Sequence, residues 1–273
     1  MLKKLIKYEI LADWKKYAFV TAALFIISFM LLVFGEISTT VANNKLIEYI
    51  NMILLFAFLT LAVVAVAMLF VFATIRFYKS FIRDQGYLMH TLPVSTWQLI
   101  VSNLIAVYIW AILIAAVLMI CGGISMGEPL WLFELIEDRG EVMDSIASEF
   151  GAEAAPELVR TLGIAAAMIV LSPAMYMTHI YFSFALGNLF SRNKLAMSVL
   201  MFFAVYFATQ ILYSIVAFPF FLNMMSLGDD VSEQQAFRIS GDISLLSLIV
   251  SVITAIVFFI ASERIFAKKL NLE

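Results

Sequence analysis

Chemistry needs side chains that carry protons, ligate metals or attack bonds, and this chain holds few of them. Its 273 residues include two histidines, His90 and His179, and one cysteine, Cys121. A single thiol excludes a disulfide framework or a thiolate metal site within one chain. The sequence contains no H-E-x-x-H run and no G-x-x-x-x-G-K-[ST] loop, so metal-assisted hydrolysis and ATP binding by a P-loop are not expected. No catalytic residue and no metal ligand is assigned. His179 is the one imidazole inside an apolar run. With Tyr176, Tyr206 and Gln210 it marks a candidate pathway; the alternative is a hydrogen-bonded packing residue. Asn103, Asn188 and Gln210 are uncharged polar residues of the kind that join helices. The apolar runs carry no paired carboxylates, which argues against an intramembrane hydrolase. The same poverty of charge argues against an ion-coupled carrier, whose route would need ionisable groups in the membrane.

The elements that must position these residues are membrane spans. The chain is 64% apolar and 14% charged, with a mean hydropathy of +1.01. Soluble domains average about 45–50% apolar and ~25% charged. A hydrocarbon core of ~30 Å needs roughly 20 apolar residues per helix. Six runs qualify, at about 17–34, 50–75, 99–120, 158–189, 195–221 and 243–266. The expected fold is an all-α membrane protein with six transmembrane helices in one domain over 1–273.

Local signals refine the ends. Leu2, Ile6, Ile10 and Trp14 recur every four residues among five lysines and predict a short interfacial N-terminal helix. Glu9 and Asp13 fall near that stripe and spoil it. The apolar run that follows lacks a small-residue cleavage pattern, so no signal peptide is expected. Gly122 and Gly123 are expected to end the third span. Pro156 suits the first turn of the fourth span, and Pro173 should kink it. Asp230 and Glu233 have capping-box spacing for a short helix, and Asp242 is the expected N-cap of the sixth span. The segment 125–157 is acidic, with Val142, Ile146 and Phe150 at helical spacing, and should hold one or two short helices.

Lys and Arg collect in cytoplasmic segments. The N-terminus, the 76–98 loop, the 191–194 turn and the C-terminus hold 13 of the 17; Lys45, Arg139, Arg160 and Arg238 are the other 4. Both termini are therefore expected in the cytoplasm. The 125–157 loop is expected outside, where Glu134, Glu137, Asp138 and Glu141 would recruit cationic cargo.

The 76–98 loop is basic at its start and then packs turn formers around apolar residues. Gly86 permits close approach, and Pro93 turns Leu92 away from helix. Tyr87, Leu88 and Leu92 would be costly to leave in water without a partner surface, and Ser95 can cap the next helix. The run RDQGYLMHTLPVSTWQLIVSNLI resembles a pattern, D-E-G-Y-L-x-x-T-L-P-V-S followed by a Q-L helix start, found in permease subunits of bacterial ABC-2 type ABC exporters. ALGNLFSRNK and the terminal KKLNLE also resemble that family, as does the six-span layout. Two features depart from it: Gln85 stands where the pattern has Glu, and the acidic loop is larger.

The resemblance implies that Asp84, Gln85, Gly86, Tyr87, Leu88, Thr91, Leu92 and Pro93 form the coupling helix on a separate ABC ATPase subunit. ATP and Mg would bind that partner and no cofactor this chain. A second permease chain, identical or paralogous, would complete the pathway in a bacterial plasma membrane, with no nucleic-acid partner. The implied cargo is an amphipathic or hydrophobic compound: an antimicrobial peptide, a drug or a lipid-like molecule. The alternative is a receptor or immunity module that binds cationic peptides without moving them.

Overall fold

Long helices dominate the chain because apolar side chains recur without interruption and few breakers intervene. The computed structural model describes residues 2–40, 45–81, 95–126, 139–190, 193–227 and 232–269. Among them are seven α-helices: α1 Leu2–Thr40, α2 Lys45–Phe81, α3 Thr96–Met126, α4 Arg139–Phe150, α5 Ala155–Gly187, α6 Lys194–Leu227 and α7 Glu233–Lys269. All but α4 are long and apolar enough to cross a membrane, and the described residues contain no strand. The described residues thus form an all-helical fold with six candidate spans, as expected of a multi-pass membrane protein. Phe19, Phe56, Ile169 and Phe207 stand exposed on their helices, where lipid would cover them.

Several helix ends differ from the sequence-based expectation. The N-terminal stripe is not a separate interfacial helix. It is the start of α1, which runs unbroken for 39 residues, roughly 58 Å at 1.5 Å per residue. Lys, Leu and Glu are good helix formers, so the turn-to-turn bonding continues past the apolar run. Gly122 and Gly123 do not end α3, which continues to Met126. Breaking backbone hydrogen bonds in hydrocarbon costs several kcal/mol per group, more than the ~1 kcal/mol a helical glycine loses. Asp242 is not an N-cap; it lies inside α7. Asp230, the expected cap, lies outside the described residues, and among these no separate short helix forms near residue 233. α7 itself starts there, and Ser232 Oγ accepts from the Gln235 amide at 3.3 Å. Pro156 does sit in the first turn of α5.

The chain divides into two compact units, the first comprising residues 1–80 and 93–137 and the second residues 81–92 and 138–273. In the first unit α1 packs along α3. The Ser28 hydroxyl donates to the Cys121 carbonyl at 2.6 Å, tying the later parts of these two parallel helices. α2 runs antiparallel to α1. Tyr17 of α1 lies against Trp110 of α3 (ring centroids 4.4 Å apart) and Phe72 of α2 (6.1 Å). In the second unit α5 packs along α7 and α6, and α4 touches α5. Here α5 and α7 are parallel, with α6 antiparallel to both.

The turn between α5 and α6 depends on Asn193, whose φ of 52° is left-handed. Asparagine tolerates this region and β-branched residues do not. Asn193→Val should therefore lower stability by about 1–2 kcal/mol and Asn193→Gly should not. Thermal unfolding of the purified variants checks this.

Candidate functional sites

Among the described residues a dense polar cluster lies in the first unit, where α1 meets the end of α2 and the start of α3. Glu9 and Asp13, one turn apart on α1, are both buried, with 7% of their surface exposed. Like charges at this spacing repel. Arg76 of α2 resolves the repulsion. Its Nε pairs with Glu9 Oε2, Nη1 reaches Asp13 Oδ2 at 3.2 Å, and Nη2 donates to the Tyr8 carbonyl at 3.2 Å. A lysine could not make all three contacts, because only the guanidinium offers donors in a fixed planar fork. Lys16 Nζ meets Asp13 Oδ1 at 2.7 Å and lies 4.7 Å from the centre of the Phe72 ring. Asn103 of α3 donates from Nδ2 to Glu9 Oε2 at 3.4 Å. Two acids and two bases close a neutral set.

In the sequence Glu9 and Asp13 read as flaws in an apolar stripe, and Arg76 as part of the basic start of the 76–98 loop. The available signal was two acids, one turn apart, in an otherwise basic segment. Asn103 does join helices, as its type suggested.

The second cluster is aromatic and lies in the second unit. His179 of α5 is half-buried. Its Nε2 lies 3.4 Å from the Phe202 carbonyl of α6. The imidazole is set edge-to-face against Phe202 (5.1 Å), Phe258 of α7 (5.6 Å) and Tyr206 (6.5 Å). Tyr176 joins through Phe202 at 6.3 Å, and Phe182 stacks on Phe258 at 4.7 Å. Of the four pathway candidates, Tyr176, His179 and Tyr206 thus share one cluster. Gln210, one turn beyond Tyr206, is exposed, with no contact to that cluster shown. Phe202, Phe258 and Phe182 were not singled out beforehand, because twenty-five phenylalanines give none of them a distinguishing context.

Towards the start of α5, Arg160 pairs with Glu157 (3.3 Å) and with Asp242 of α7 (2.8 Å). Thr161 Oγ1 reaches the Phe237 carbonyl at 3.3 Å. These contacts fix α5 and α7 in register. The pair is more than a third exposed and contributes little by itself.

The predicted coupling residues Asp84, Gln85, Gly86, Tyr87, Leu88, Thr91, Leu92 and Pro93 lie outside the described residues, as do Glu134, Glu137 and Asp138. Glu141 is exposed on α4. No protein-family model, no curated protein and no solved structure matches the chain.

Proposed function

We propose that this chain is the permease subunit of an ATP-driven ABC-2 type exporter in a bacterial plasma membrane. The observation that carries the reading is the run from Arg83 to Ser95. It is a short, partly apolar segment, preceded by the basic residues Arg76, Lys79 and Arg83, between two apolar runs long enough to be spans. Six long apolar helices and the skewed Lys and Arg distribution support it. Without a P-loop in the sequence, the energy for movement would come from a separate ATPase seated on residues 84–93. A second permease chain would complete the pathway for an amphipathic or hydrophobic cargo. The aromatic cluster around His179 offers apolar faces for such a molecule, with the fifteen methionines as adaptable surface elsewhere.

The test isolates the tagged full-length chain from its own membranes. The expected result is co-purification of a nucleotide-hydrolysing subunit with the unsubstituted chain. Joint Tyr87→Asp and Leu88→Asp substitution should remove that subunit while leaving the amount of inserted chain unchanged. Recovery of the unsubstituted chain without an ATPase would favour the receptor or immunity reading. An undiminished complex with the double variant would overturn the docking assignment.

A further inference from the structure

We propose that the Glu9 carboxylate is a clamp, making α1 move as one body with the two helix ends that bracket residues 82–94. The geometry singles out one atom. Glu9 Oε2 takes Arg76 Nε from α2, close to the end of that helix, and Asn103 Nδ2 from α3, close to its start. Two different helices therefore converge on one buried oxygen of a third. Arg76 extends the grip along α1 through the Asp13 carboxylate and the Tyr8 carbonyl. Three acceptors on one planar fork fix both the height and the rotation of α2 against α1.

Towards the other end, α1 and α3 are joined by a neutral hydrogen bond, Ser28 to the Cys121 carbonyl. The charged and multiply held junction sits where α2 and α3 are joined through 82–94. A cluster that only filled the core would not need to engage both helices flanking that segment.

The functional consequence rests on the reading that residues 84–93 receive an ATPase. A displacement there must leave through the end of α2 and the start of α3. With both fastened to Glu9, it reaches α1 instead of being absorbed by independent bending. Coupling between distant sites needs such a contiguous, stiff connection.

The experiment uses the full chain in lipid nanodiscs with Cys121→Ser as background. Nitroxide labels are placed on Lys7→Cys with Lys79→Cys, and on Lys7→Cys with Ser95→Cys; all three positions are exposed. Pulsed dipolar spectroscopy then reads the width of each distance distribution. Glu9→Gln should widen both about twofold, because the half-buried guanidinium loses one of its two carboxylate partners and Asn103 loses a charged acceptor. Asn103→Ala should widen only the 7–95 distribution, since the Arg76 contacts remain. Unchanged widths in both variants, or equal widening of both pairs by Asn103→Ala, would overturn the clamp. If Glu9→Gln does not fold, Asn103→Ala still decides, because it leaves every ion pair intact. ATPase co-purifying with the same preparations is scored separately. Failure of the clamp is read from the widths, and failure of the docking reading from the missing subunit.

Discussion

Replacing Arg76 by alanine is expected to be the most damaging single change in the first three helices. The side chain is only 20% exposed, and among the described residues it is the cation that contacts both Glu9 and Asp13. Its removal leaves two buried carboxylates one turn apart, with Lys16 reaching Asp13 alone. Breaking a buried ion pair from one side costs about 3–5 kcal/mol, and partial exposure places this case near the lower figure. The penalty comes from stranded charge more than from lost attraction, so neutralising the stranded groups should restore much of it. Arg76→Ala with Glu9→Gln and Asp13→Asn should be more stable than Arg76→Ala alone. Arg76→Lys should fall between, since an ammonium cannot hold Glu9, Asp13 and the Tyr8 carbonyl together. Equilibrium unfolding of the purified chain in detergent measures the series. A triple variant no more stable than the single one would show that packing of the arginine stem, and not its charge, sets the cost.

The number and order of the spans were legible in the sequence because they depend on a local quantity, the length of an apolar run. Their ends were not. Hydropathy bounds the first span at Tyr17 and Phe34, where charge appears; the helix runs from Leu2 to Thr40. Hydropathy reports where lipid can be, whereas the helix persists wherever its backbone bonds are cheaper to keep than to break. The same argument explains the passage of α3 through Gly122 and Gly123. The ionic cluster was illegible for another reason. Glu9 and Arg76 are far apart in the chain, and no short-range periodicity links them. Seen alone, each contradicts its surroundings: an acid in a basic segment, a cation in an apolar helix. Such mutual exceptions are what a long-range pair looks like before the fold is known. The aromatic cluster was half legible. His179 and the tyrosines stood out by type, while the phenylalanines that complete it did not.

Gly187→Ala is expected to prevent correct assembly of the α5–α6 hairpin. A Cβ at this buried glycine would lie 2.1 Å from Ser198 Oγ, 2.5 Å from Ser198 Cα and 2.6 Å from its amide nitrogen. The hydroxyl could in principle turn away, though it is held to the Lys194 carbonyl at 2.8 Å. The Cα and nitrogen cannot, because they belong to the second turn of α6. The helices must then separate at this close approach, a few residues from a turn that already holds Asn193 in the left-handed region. Overpacking that shifts side chains and backbone costs about 1–3 kcal/mol and occasionally more, and a clash with helix backbone should lie at the top of that range or above it. Two controls isolate the cause. Ser198→Gly should not rescue Gly187→Ala, since it removes the hydroxyl but leaves the Cα and nitrogen in place. Gly163, on the same helix, has nothing within 4 Å of its would-be Cβ. Gly163→Ala should be neutral or stabilise by about 0.5–1 kcal/mol through helix propensity alone. Size-exclusion profiles and thermal unfolding of the detergent-solubilised variants separate these outcomes. Rescue by Ser198→Gly would mean that the hydroxyl, not the approach of the two backbones, is what makes glycine necessary at the end of α5.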